Sequence, residues 1–108
     1  PRPPEGILEA VNRLADGGLS VSGWAADKRT GSPVKEVGVY CDGNFVGKAA
    51  MGLPRPDVQH HFGRDDYLYS GWAYQIPKAV LGEPSERNPV IMASITNDIG
   101  LKVHTLPI

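Results

Sequence analysis

Apolar and small polar residues alternate along most of this chain, and the repeat is two. Leu19-Ser20-Val21-Ser22-Gly23 follows it, which is the spacing of a half-buried β-strand. Glu36 to Cys41 does the same and places Val37, Val39 and Cys41 on one face. Asp42-Gly43-Asn44 comes next, with residues that tolerate the positive φ of a tight hairpin turn. Phe45 to Met51 then reads as one return strand. A three-residue loop sets Phe45, Gly47 and Ala49 beside Cys41, Val39 and Val37. A two-residue loop puts Lys48 on the apolar face instead, where an unpaired ammonium is costly, so the longer loop is expected.

Later segments keep the repeat. Trp72, Tyr74 and Ile76 alternate with Gly71, Ala73 and Gln75 until Pro77 ends the run. Val90 to Asn97 sends Ile91, Ala93 and Ile95 to one face. Asp98 to Gly100 turns the chain, and Leu101, Val103 and Thr105 alternate after it. Ile7 to Leu14 reads as a further strand whose inward face is not legible. About seven short strands joined by turns predict an all-β fold, an antiparallel β-sandwich with one or two short helical turns. One such turn spans Val58 to Phe62, with Asp57 as its cap and Gly63 as a left-handed stop. Lys78 to Leu81 is the other. From Leu53 to Tyr69 the chain runs without a strand signal, which marks a functional loop or a crossover between sheets. Ser22-Gly23-Trp24-Ala25 recurs as Ser70-Gly71-Trp72-Ala73. With no further matching positions, this reads as two strands meeting one packing demand, a glycine giving an indole room.

Composition sharpens the picture without naming a task. The chain has 108 residues, enough for one domain, and a formal charge of −1, so no basic footprint suggests a nucleic-acid partner. The 13 glycines and 10 prolines are about twice the usual share and suit many tight turns. A single cysteine excludes an intrachain disulfide and a Cys-rich zinc site. No apolar run suggests membrane insertion, and no residue pattern calls for a cofactor. Pro1-Arg2-Pro3-Pro4, with no initiating Met, reads as the end of an interdomain linker over residues 1–5 or as a frayed terminus. Residues 6–108 then form the single domain.

The order Gly23-Trp24-Ala25, Val37-x-Val39-x-x-Asp42-Gly43-x-x-Val46-Gly47-x-Ala49, Gly52-x-x-Arg55-Pro56-Asp57-Val58 and Ser70-Gly71-Trp72 resembles the bacterial immunoglobulin-like β-sandwich accessory modules. The resemblance covers roughly residues 18–77 and is looser over the last two strands. Its most specific part is the Arg-Pro-Asp-Val element between the hairpin and the Ser-Gly-aromatic strand. It implies a non-catalytic spacer or interaction domain beside glycosyltransferases, hydrolases or envelope proteins. The partners would be catalytic or envelope domains of the same polypeptide, in the cell envelope or secreted. The paired cysteines of antibody domains are missing here.

Candidate chemistry gathers in the 53–69 segment. Under a carbohydrate-binding alternative, Arg55, Asp57, Asp66, Tyr67 and Tyr69 contact a glycan, and Trp24 offers an indole for stacking. Strict alternation places Trp24 on the outer face with Ser20 and Ser22, whereas a bulge at Gly23 would return it inside. The structural reading of Arg55 is an ion pair that pins the long loop to the sandwich. Adjacent His60 and His61 point about 100° apart on a helical turn and make a poor metal pair. Arg64-Asp65-Asp66 lacks the alternating oxygens of a calcium loop. No nucleophile elbow, phosphate loop or His-Glu-x-x-His pair is present, so no catalytic residue is assigned. Glu5, Glu9, Glu36, Glu83 and Glu86 fall at ends, edges or turns, and Cys41 reads as an inert core thiol. An open sheet edge could support self-association, at a place the pattern does not reveal.

Overall fold

The computed structural model describes residues 2–82 and 88–108. Glu83 and Glu86 lie outside the described residues. Eight strands form two four-stranded antiparallel sheets: β1 (Glu5–Arg13), β2 (Leu19–Ala26), β3 (Glu36–Cys41), β4 (Asn44–Lys48), β5 (Ala50–Leu53), β6 (Gly71–Ile76), β7 (Ile91–Thr96) and β8 (Lys102–Thr105). The first sheet has the order β1-β2-β6-β5 and the second β4-β3-β7-β8. The fold is all-β and sandwich-like. Two short helices, α1 (Pro56–Phe62) and α2 (Lys78–Leu81), follow β5 and β6.

The period-two positions meet between the sheets. Leu19, Val21, Trp72 and Ile76 from the first sheet pack on Val37, Val39, Ile91, Ala93 and Ile95 from the second. All nine are buried. The hydrophobic effect therefore acts on the residues whose alternation predicted strands, at about 25 cal/mol per Å² of apolar surface removed from water.

A β-bulge interrupts the alternation in three strands, β4, β1 and β5. The single return strand is in fact two, β4 and β5, which belong to different sheets. The hairpin turn has two residues, Asp42 and Gly43, both at positive φ, and Cys41 pairs with Asn44, not Phe45. Val46 is then an extra residue, after which Gly47 stands opposite Val39. The bulge thus does what the longer loop was expected to do: it keeps Lys48 off the core face, and the ammonium instead meets Glu36 at the surface, 2.9 Å away. In β1 the register slips at Glu9, so Leu8 and Val11 both face inward although three residues apart. That slip is why the inward face of this strand could not be read from spacing. The third slip, at Gly52, lies in β5. All three bulges lie on edge strands, where the irregularity also discourages edge-to-edge pairing. β1 begins at Glu5, and Pro4 is already buried, so the ordered strand takes in a residue assigned to the linker.

The repeated tetrapeptides lie opposite each other. β2 and β6 pair so that Trp24 faces Gly71 and Gly23 faces Trp72. Opposed residues share a face, so Trp72 points into the core and Trp24 points out. There is no slip at Gly23, and strict alternation holds through Trp24. A Cβ on Gly23 would stand 2.8 Å from the Trp72 ring and 2.0 Å from the Ile7 carbonyl oxygen, so only glycine fits.

Candidate functional site

Although it points outward, Trp24 is only 7 % exposed. The 53–69 segment folds back over the outer face of the first sheet and covers it. Val58 of α1 and Tyr67 of a 3-10 turn (Asp65–Tyr67) join Trp24, Ala26 and Ile7 in a second, smaller apolar cluster. Phe62, at the last position of α1, stacks obliquely on Trp24 at 5.2 Å and on Tyr67 at 5.4 Å between ring centroids. Gly63 then ends the helix in the left-handed conformation, as its sequence position implied.

Polar contacts clamp this segment down. The Arg55 backbone N–H donates to Leu68 O at 2.6 Å, and Ser32 donates from both N–H and hydroxyl to Asp66 O. The Arg55 guanidinium is shared by two carboxylates. Nε and Nη2 donate to Asp57 at 2.9 and 2.8 Å, while Nη1 and Nη2 donate to Glu9 at 2.5 and 3.1 Å. Glu9 is the bulged residue of β1, so the slip that turns Leu8 and Val11 inward also presents this carboxylate to the loop. Gly71 makes the route possible, because a Cβ there would lie 3.0 Å from Arg55 Cγ and 2.8 Å from Leu53 O.

Electrostatics follow the geometry. Hydrogen bonding from Arg55 holds the Asp57 carboxyl down at about 2, and the same pairing raises the Arg55 pKa. Asp57 is not the helix cap: α1 has no side-chain cap, Arg55 occupies the cap position, and the carboxylate is turned to the guanidinium. Burial, reinforced by a hydrogen bond to Glu5 at 2.9 Å, pushes the Tyr67 phenol up to about 12.

The sequence-assigned contacts therefore separate. Arg55, Asp57 and Trp24 come together. Tyr67 does not offer a ring to solvent, being 1 % exposed beneath Phe62 and Arg64, whose guanidinium lies 4.6 Å from its ring centre. Asp66 is exposed but is taken up by Arg64 at 2.9 Å, and Tyr69, 53 % exposed, lies away from the groove. Tyr40 is in the other sheet, edge-on to Phe45, so it forms no common patch with Trp24.

An open groove of about 380 Å³ results, lined by Ile7, Trp24, Val58 and Phe62 below and by Glu9, Arg55, Asp57 and His61 at its rim. Phe62 is its accessible phenyl ring, 39 % exposed, with the exposed His61 ring edge-on to it at 4.9 Å. Sequence reasoning missed Glu9 and Phe62. The signal for Glu9 was the broken spacing around it, and for Phe62 an aromatic residue directly before a glycine stop. Among the described residues, no group of three His, Cys, Asp or Glu side chains could hold a metal ion. Among the same residues, no helix is long and apolar enough to cross a membrane.

A buried polar pair at the end of the sandwich was also unforeseen. Asn97 donates to Asp27 at 2.9 Å and accepts from the backbone N–H of Leu101 and Ile99. Burial would raise the Asp27 carboxyl, but donors from Arg29 N–H and Asn97 outweigh it and hold the pKa low. The pair ties the end of β2 to the β7–β8 turn and is satisfied internally.

Comparison with known proteins finds no matching family, no matching curated protein and no matching solved structure.

Proposed function

We propose that the chain is an immunoglobulin-like module without catalysis of its own, serving as a spacer or interaction domain of a larger bacterial protein in the envelope or outside the cell. The strand order supports the fold assignment: β1-β2-β6-β5 against β3-β7-β8 is the constant-type arrangement, with β4 as an added edge strand. One observation carries the functional reading. The two rim carboxylates, Glu9 and Asp57, share a single guanidinium, and Asp57 is held at about 2. A glycosidase needs one carboxyl group raised in pKa to donate a proton, and this pairing works in the opposite direction. The rim is built to hold a shape and to accept hydrogen bonds.

A carbohydrate-binding role is the second reading. It is favoured by a half-exposed phenyl ring set beside ionised carboxylates in one groove, the pairing that suits the apolar face and hydroxyl edge of a sugar. Calorimetric titration of the whole chain against bacterial and plant polysaccharides tests both readings. Saturable binding that Phe62→Ala weakens while the circular dichroism spectrum is kept supports the glycan reading. Silence across the panel removes it and leaves the spacer role. Turnover of any of these polymers by the chain removes the non-catalytic assignment.

A further inference from the structure

We infer that the groove on the outer face of the first sheet selects neutral, hydroxyl-rich glycans and rejects acidic ones. The inference rests on the carbohydrate-binding reading. It comes from counting hydrogen-bonding capacity at the rim. A guanidinium has five N–H donors. Arg55 directs four of them at Glu9 and Asp57, one from Nε, one from Nη1 and two from Nη2. One Nη1 hydrogen remains. The two carboxylates together offer about eight lone-pair positions, and Arg55 occupies four. His61, also at the rim, adds a ring N–H, and backbone N–H groups of Asp57 and Val58 bear on the Asp57 carboxylate, so the side chains named at the rim still keep more open acceptor positions than donors.

Charge points the same way. Two carboxylates and one guanidinium give the trio a formal charge of −1, and the Arg55 pairing keeps the Asp57 carboxyl well below its ordinary range. The arginine that the carbohydrate-binding alternative named as a glycan contact is already engaged by the two carboxylates. A hydroxyl group donates to the open lone pairs at no electrostatic cost. A uronate or sulfate brings only further acceptors and a like charge, and such juxtapositions cost enough to weaken binding about tenfold or more. Beneath the rim, the Phe62 ring takes the apolar face of the sugar.

Matched polymers that differ only in charge test the proposal: methyl-esterified against de-esterified pectin, dextran against carboxymethyl-dextran, and hydroxyethyl- against carboxymethyl-cellulose. The neutral member of at least one pair should bind, with its acidic twin about tenfold weaker or worse, and added salt should narrow that gap. Asp57→Asn, on an exposed side chain, should bring the twins several-fold closer. Equal or tighter binding of the acidic twin overturns the inference and leaves the glycan reading standing, as does a gap that Asp57→Asn and Glu9→Gln both fail to change. No binding by any member of any pair overturns the glycan reading and the inference with it.

Discussion

Trp72 and Trp24 sit in the same tetrapeptide, on adjacent strands, each opposite the other's glycine, and they do different work. Trp72 is enclosed by two sheets and fills the main core at 1 % exposure. Trp24 is enclosed by one sheet and a clamped segment with no strand pattern, in a cluster of only four buried residues. The main core holds the architecture and exposes nothing. The outer cluster is just large enough to fix Phe62 and Arg55, and its incomplete cover is the groove. Identical local sequence leads to a packed interior on one face and an open groove on the other.

The sharpest way to break this comparison is through the inner region. Trp72→Ala should cost about 3 to 5 kcal/mol by opening a cavity, and Gly23→Ala about 3 kcal/mol by driving a methyl into the Ile7 carbonyl. Chemical denaturation would measure this, and a loss under about 1 kcal/mol would show that the sheets do not enclose these positions.

Val58→Ala probes the outer cluster. It removes two buried methyl groups, so about 2 kcal/mol is expected. The loss should fall on local opening, with amides of residues 56–67 exchanging faster while those of β3 and β7 keep their protection. Uniform acceleration would merge the two regions into one cooperative unit.

Tyr67→Phe should cost about 1 kcal/mol through the hydrogen bond to Glu5. Because the folded phenol titrates at about 12, above its ordinary 10.0, its contribution is complete below pH 10 and lost as pH rises toward 12. Alkaline denaturation followed by circular dichroism should show this loss in the wild type, and Tyr67→Phe should lack it.

The smallest effect belongs to the rim. Arg55→Met should cost at most about 1 kcal/mol, since the pairs are partly exposed. The folded Asp57 carboxyl lies below its ordinary 3.8, so its contribution is complete above that value and fades as pH falls toward 2. The substitution should flatten that acid limb, and an unchanged acid limb would mean that Arg55 does not hold Asp57.

The fold was legible wherever a strand kept strict alternation. Val37 to Cys41 and Ile91 to Ile95 bury the face that spacing assigned to them, as do Trp72 and Ile76, with Tyr74 between them partly buried against the core. It was illegible where a bulge inserts one residue, since a single slip exchanges the two faces of everything beyond it. The candidate site was half legible. Arg55, Asp57 and Trp24 do converge, but Tyr67 is sealed beneath its neighbours and Asp66 is taken by Arg64.

Sequence alone determined which short stretches are strands, which faces of the regular ones are apolar, and where the chain turns, because these depend on residues within a few positions of one another. Only the tertiary structure decided that Trp24 would be covered, that Glu9 would meet an arginine 46 residues away, and that Phe45 and Met51 would part into different sheets. Those outcomes depend on which surfaces come within a few ångströms after the sheets close, and no local spacing encodes that distance.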